Sequence, residues 1–490
     1  LTEIGRGIEK ESLRITPDGK LAQTAHPAAL GSALTHSSIT TDYSEALMEF
    51  ITPVSQSIDA SLRTLEEVHS YVYQHLGDDI LWSASMPCIM TGDDGIPVAQ
   101  YGSSNVATMK TVYRYGLGHR YGRLMQTIAG IHYNFSMPQE YTTRYLGLIR
   151  NFQRYSWLLV YLYGASPAVC ASFLKDATDH DLVPFDDDAR SLHRPYGTAL
   201  RMGDLGYNSD AQKDLNICYN SLDNYIQTLS KAILQPHPDY TAIPSGESGD
   251  YQQLSNSLLQ IENEFYGPIR PKRVARSGET PLGALRRGGI EYIEVRCIDI
   301  NPFTPVGLDA EQIRFVDTFL LFCLLEDSPP CTDAEQKIID QNFKTIVNRG
   351  REPELTLVDD SGERSFTELS EQLLDAMAPI ARMMDQAFSG DDYSTALTTQ
   401  KNKIADSELT PSARMLREMR ETELPFFRLE MEYSKRWAEH FRGVKLAPDT
   451  EKAFREEARR SIEARQKIEQ SDSIDFKQYL ADFYAQYAEL

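Results

Sequence analysis

Four short segments of this chain read as strands, and in one of them apolar and polar side chains alternate strictly. In 128–136, Ile131, Tyr133 and Phe135 alternate with Gly130, His132, Asn134 and Ser136, and side chains on a strand switch face at every residue. The segment 7–15 places Glu9, Glu11, Leu13 and Ile15 on one face, and 289–297 does the same for Tyr292, Glu294 and Arg296. In 40–52, Glu49 is embedded among Leu47, Met48, Phe50 and Ile51, with Asp42 just upstream. Helical spacing takes over between these segments. Ile58, Leu62, Leu65, Val68 and Val72 predict an amphipathic helix over 56–76. A loop and helix lying near the site are expected over 101–122, mostly helix over 140–235, and helix again from about 305 onward. The uncharged run 155–174 is long enough to imitate a membrane span, but Gly164-Ala165-Ser166-Pro167 interrupts it. It reads as a buried helix ending in a turn.

The polar residues on these strands are of one kind. Two carboxylates on one strand face lie roughly 6–7 Å apart and repel each other, so a cation is required near Glu9 and Glu11. A carboxylate in an apolar run such as that around Glu49 is costly unless paired or metal-bound. His132 followed by Asn134 on the same face, opposite a wholly apolar face, reads as the wall of a site. Arg296 beside Glu294 suits an anion clamp next to a metal ligand. Carboxylate oxygens with a single imidazole favour Mg²⁺ or Mn²⁺ over zinc.

Composition narrows the choice. The chain has 490 residues, 41% hydrophobic and 24% charged, with a net charge of −22, which argues against a nucleic-acid partner. Anionic substrates would be repelled by that field and need local cations, and Arg270, Lys272, Arg273, Arg276, Arg286 and Arg287 form a basic island. Cys88, Cys170, Cys218, Cys297, Cys323 and Cys331 are far apart, with no CxxC, the pattern of a reducing compartment. With no secretory segment and no membrane span, the chain reads as cytoplasmic. No Walker A sequence occurs, so no P-loop phosphate site is expected. The acidic run Asp186-Asp187-Asp188 reads as a solvated loop, and the last ~85 residues as charge-laced helices without site chemistry.

These segments carry a resemblance. Gly7-Ile8-Glu9-Lys10-Glu11-Ser12-Leu13-Arg14, the stretches 29–36, 45–53, 124–136, 200–207 and 262–273, and Gly288-Gly289-Ile290-Glu291-Tyr292-Ile293-Glu294-Val295-Arg296 resemble the bacterial glutamate–cysteine ligases of the glutamine-synthetase superfamily. The match is dense to about residue 330 and thinner beyond. It implies an α+β fold with a curved, mainly antiparallel sheet lining the active site, surrounded by helices. A catalytic domain over 1–400 and a helical segment over 401–490 packed on it are expected.

The resemblance further implies ATP-dependent joining of the L-glutamate γ-carboxylate to the L-cysteine amine through γ-glutamyl phosphate, the first step of glutathione synthesis. It assigns Glu9, Glu11, Asp42, Glu49, His132 and Glu294 to a shell for two or three magnesium ions. Strand alternation supports five of these independently, Asp42 less so. Arg296 would hold phosphoryl oxygens and Arg201 a substrate carboxylate, while Tyr207 and Tyr266 would line the cysteine pocket. Gln126 and Asn134 are further substrate-binding candidates, and Arg270, Lys272 and Arg273 are candidates for ATP. Glutathione is implied as a feedback inhibitor and the monomer as the working state. A ligase with another amine acceptor and a catalytically inactive sensor remain open at this point.

Overall fold

The computed structural model describes residues 1–490 except 88, 175–179, 207–209, 213–214 and 247–248. The chain begins with β1 (Gly5–Ile15), followed by β2 (Ile39–Thr41) and β3 (Leu47–Ile51). The predicted amphipathic helix is α1 (Ile58–Tyr73), capped by Ser57, whose side chain accepts from Ala60 N at 3.2 Å. After β4 (Ile80–Leu81), helix α2 (Asn105–Tyr121) starts at a second serine cap, Ser104, and leads to β5 (Ile131–Ser136).

The uncharged run is the end of α3 (Tyr145–Tyr163), which stops at Gly164. A Cβ on Gly164 would stand 2.5 Å from Val160 O and 2.7 Å from Thr198 O, so only glycine lets the chain turn there. No helix among the described residues is long and apolar enough to cross a membrane.

Beyond Gly164 the expectation of mostly helix over 140–235 fails. Between α3 and α4 (Leu222–Leu234) the described chain runs through short strands, β6 (Ala168–Cys170), β7 (Val183–Pro184) and β8 (Ser191–His193), and single 3-10 turns. Pro167, Pro184, Pro195, Gly197, Gly203 and Gly206 explain it, since each costs a helix interior its continuity. The acidic run 186–188 is at the surface, as expected, where Asp186 accepts from the backbone N–H groups of Arg190 and Ser191.

Strand β9 (Ile269–Lys272), helix α5 (Pro281–Gly288) and strand β10 (Tyr292–Ile298) complete the main sheet. Helices then dominate: α6 (Ala310–Leu325) and α7 (Asp333–Arg349), a hairpin of β11 (Thr356–Asp359) and β12 (Gly362–Ser365), then α8 (Phe366–Phe388) and α9 (Asp392–Ala405). The chain ends in α10 (Pro411–Thr422), α11 (Phe426–Gly443), α12 (Pro448–Ser471) and α13 (Phe476–Ala488).

The sheet runs β2-β3-β1-β5-β10-β9, with β4 also on β1, and every pair in it is antiparallel. This is the α+β architecture that the resemblance implied. One face carries Ile8, Phe50, Ile131, Tyr133, Phe135, Ile293 and Val295, all buried, with α1 and α3 packed against the sheet. A buried ion pair ties that side together: Arg6 Nε donates to Asp317 Oδ2 on α6 at 2.7 Å, and Tyr133 donates to Asp317 Oδ1 at 2.7 Å. The opposite face is polar and holds the site.

Candidate active site

Register decides which side chains meet. Glu9 stands directly opposite His132, Glu11 opposite Glu49, and Asn134 opposite both Gly7 and Glu294. Glu294 in turn faces Arg270. Directly opposed residues of antiparallel strands share a face, and Glu9, Glu11, Glu49, His132, Arg270 and Glu294 line one cavity of about 600 Å³. The ligating atoms of Glu9, His132 and Glu294 lie within 4.8 Å of one another, as do those of Glu11, Glu49 and His132. The two groups share the imidazole. Asp42, the sixth residue of the expected shell, belongs to neither group; it lines the cavity with its carboxylate half-exposed, 3.9 Å from Arg114.

Burial sets the electrostatics of this face. It pushes the Glu11 carboxyl up to about 8, with the Asp42 charge adding to the effect. Glu49 is raised well above the carboxylate range by burial and then by Glu9. Glu294 behaves oppositely: burial works against its charge, but Lys272 at 3.2 Å and Arg296 at 3.0 Å hold it well below the usual range. Burial, with Arg296 nearby, lowers His132 and keeps it neutral. Its Nδ1 is 3.2 Å from Glu9 Oε2, while its buried Nε2 has no hydrogen-bond partner among the described residues and lies 4.0 Å from Glu11 Oε1. A neutral imidazole with a lone pair aimed between buried carboxylates is the donor set of a hard divalent cation.

The other expected residues divide. Gln126 and Tyr266 both line the cavity, and Gln126 Nε2 donates to the Tyr266 hydroxyl at 3.1 Å. Asn134 Nδ2 donates to Glu9 Oε1 at 2.8 Å and so orients a carboxylate. Arg270 and Lys272 line the cavity, but Arg270 also donates to the carbonyls of Asn263 and Phe265, which fixes that loop.

Two arginines and a tyrosine stand differently. Arg273 follows the end of β9 and turns away from the cavity lining, to Gly289 O at 2.5 Å and to Glu291 at 3.5 Å. Arg201 is fully buried behind the cavity wall, where its Nη2 donates to Arg296 O at 2.8 Å. A Cβ on Gly130 would stand 2.0 Å from that nitrogen, so the bare glycine is what admits the guanidinium. Tyr207 lies outside the described residues.

Sequence alone places the helix of 101–122 near the site without singling out its residues, and it misses a second group of lining residues. Val106, Met109, Lys110, Tyr113, Arg114 and Leu117 of α2 all face the cavity, at the i, i+3, i+4, i+7 spacing that would have revealed one working face. Burial lowers Lys110 to about 8, with Arg114 adding to the effect. The second group is Tyr479 and Phe483 of α13, in the region expected to lack site chemistry.

Residues 1–346 match the model of the glutamate-cysteine ligase family. The chain belongs to that family. Its similarity to relatives does not stop where the family model does. A glutamate–cysteine ligase of Saccharophagus degradans is 49% identical over 99% of this chain and 95% of its own length. One of Alcanivorax borkumensis is 48% identical over 99% and 96%. Among solved structures, the glutamate–cysteine ligase of Francisella tularensis in complex with AMP superposes with a TM-score of 0.93 at 35% identity, covering 99% of this chain and 98% of that one. The helical carboxy-terminal part therefore belongs to the family architecture as much as the sheet does.

Proposed function

We propose that this family member joins the γ-carboxylate of L-glutamate to the amine of L-cysteine at the expense of ATP, giving γ-glutamylcysteine, ADP and phosphate. The observation that carries the proposal is the pair of carboxylate groups sharing His132, set beside Lys272 and Arg296 on one face of the sheet. Glu9 and Glu294 would hold one magnesium ion and Glu11 and Glu49 another, with the single lone pair of His132 available to one of them and Asp42 at the rim. Magnesium there would supply charge neutralisation for the triphosphate.

The chain's own groups do the rest. Arg296 presents a planar fork to the transferring phosphoryl group, and its backbone is fixed by Arg201. Transfer of the γ-phosphoryl group from ATP to a glutamate γ-carboxylate oxygen releases ADP and leaves an acyl phosphate. The cysteine nitrogen then forms the amide bond as the carbon–oxygen bond to phosphate breaks, and the ammonium proton is lost. Tyr266, held by Gln126, supports the acceptor pocket, whose aromatic surface suits a polarizable thiol. Glutathione contains the product's γ-glutamylcysteine unit and would compete for the same surface. The free thiols of Cys170, Cys297 and Cys323 suit a cytoplasmic enzyme.

The test is ADP formation by the purified protein with Mg²⁺, ATP and glutamate, offering cysteine, serine, alanine or 2-aminobutyrate. Cysteine should be preferred and 2-aminobutyrate tolerated. Without an acceptor, hydroxylamine should trap a glutamyl hydroxamate. Absence of both ADP and hydroxamate overturns the proposal; equal use of serine and cysteine reduces it to a γ-glutamyl–amine ligase.

A further inference from the structure

A second cavity, of about 400 Å³, lies between α3, α6, α7, the β11–β12 hairpin and α8. Among the described residues it shares no lining side chain with the catalytic cavity. Its volume falls within the roughly 300–1,000 Å³ of small-molecule sites. Trp157 of α3, Phe322 of α6, Ile339 of α7, Leu357 of β11 and Leu373 of α8 are buried apolar residues that converge there. Two of the rings are braced. Trp157 meets Phe366 edge-on with centroids 5.7 Å apart, and Phe322 lies 5.7 Å from Tyr155, a further lining ring.

The walls are held in place without a ligand. An isolated two-stranded hairpin is marginal in water, so β11–β12 needs outside support to serve as one. Asn342 of α7, buried itself, binds both backbone groups of Val358: its Nδ2 donates to Val358 O at 2.7 Å, and its Oδ1 accepts from Val358 N at 2.9 Å. Phe366 N donates to Leu355 O at 2.9 Å and closes the hairpin where α8 begins.

Charge then selects the occupant. Arg154 is the one basic residue among the described lining, against Glu326, Glu335, Asp359 and Asp360. Its guanidinium is already engaged: it donates to both carboxylate oxygens of Glu335, at 2.6 and 3.1 Å, and to Asn151, Ser328 and Pro329 O. Arg364 answers Asp359 at 3.3 Å. Glu326, directly after α6, and Asp360, at the hairpin turn, are exposed and enter no ion pair among the described residues.

We infer that this cavity is a second ligand site, for a small organic cation with an aromatic or branched apolar body. The body fills the space among Trp157, Phe322, Leu357 and Leu373, whose ring faces also attract positive charge, and the ammonium group faces Glu326 and Asp360 at the mouth. An anion of the same shape is refused, because the carboxylates outnumber an arginine whose donors are spent. The ligase reaction has no use for such a site, so the inference stands apart from the proposed activity.

The experiment titrates 4-phenylbutylamine, and 4-phenylbutyrate as its anionic counterpart, into the full-length protein by calorimetry and tryptophan fluorescence. The amine should bind saturably, at least about tenfold more tightly than the acid, and change the emission of Trp157, one of three tryptophans. In Trp157→Phe that change should vanish while calorimetric binding persists. Ala376→Phe, at an exposed position of the cavity wall, should weaken amine binding by about tenfold or more by filling the space. Asp360→Lys should reduce the preference for amine over acid by about threefold or more, with the melting temperature unmoved. Saturating Mg²⁺-ADP should leave the Kd of the amine unchanged. The inference is overturned by lack of saturable amine binding, by equal binding of the two probes, by displacement with ADP, or by binding that neither Ala376→Phe nor Asp360→Lys alters.

Discussion

Glu11 of β1 and Glu49 of β3 are direct cross-strand partners, a buried and a half-buried carboxyl group facing the same cavity. Both are held above the ordinary carboxylate range, so at neutral pH the pair without a cation retains protons. Metal binding requires the ionised forms. Addition of Mg²⁺ at pH 7 should therefore release protons, seen as a binding enthalpy that varies with the ionisation enthalpy of the buffer. Glu49→Gln should shrink that release, weaken Mg²⁺ binding by at least about tenfold, and leave the metal-free protein as stable or more so.

Arg296 carries two relationships at once: its guanidinium is 3.0 Å from Glu294, and its carbonyl accepts from Arg201. Arg296→Lys retains the charge next to Glu294 but loses the planar fork. Turnover should fall by about 10²-fold or more, the scale of a lost transition-state donor, with the melting temperature little changed. Near-normal kcat would reduce Arg296 to a charge-balancing partner.

The Arg6–Asp317 pair joins the first strand to α6 across 311 positions of sequence, with both side chains almost wholly excluded from water. Replacing Asp317 by Ala leaves a buried guanidinium uncompensated. The expected cost is about 3–5 kcal/mol, read as a lower urea midpoint. The double variant Arg6→Met/Asp317→Ala should recover much of it, because no isolated charge then remains.

How much of this site could be read from sequence follows from how local each signal is. Glu9, Glu11, His132 and Glu294 were legible because period-two alternation is a property of a few consecutive residues, and register did the rest. Asp42 was ambiguous because it stands just beyond the end of β2, in the turn to β3, where alternation says nothing. Tyr479 and Phe483 could not be found, since only the return of the chain to the start of α2 brings α13 to the cavity. Arg201 shows another limit: its motif marked it as important, but that its guanidinium packs at Gly130 is a placement only the packing reveals.

Glu430 of α11 offers a test of stability against pH. Its buried carboxyl accepts from Ser83 at 3.0 Å, and burial pushes it up to about 8. In the unfolded chain the group ionises near 4.3. Between those values the folded state keeps a proton that the unfolded state has lost, so stability falls as pH rises, by up to ~1.4 kcal/mol per pH unit, and levels off above about 8. Glu430→Gln should flatten that part of the profile and raise stability at neutral pH. An unchanged profile would show that Glu430 does not titrate in this range.

The sheet face that gathers the carboxylates is complete once β10 ends at Ile298, whereas the aromatic lining waits for α13, which starts at Phe476. On the ribosome these parts emerge in that order. A nascent chain can thus assemble its acidic, cation-seeking face while the wall contributed by Tyr479 and Phe483 is still unmade. Chains interrupted before α13 would carry the acidic sheet face without the wall that encloses the cavity.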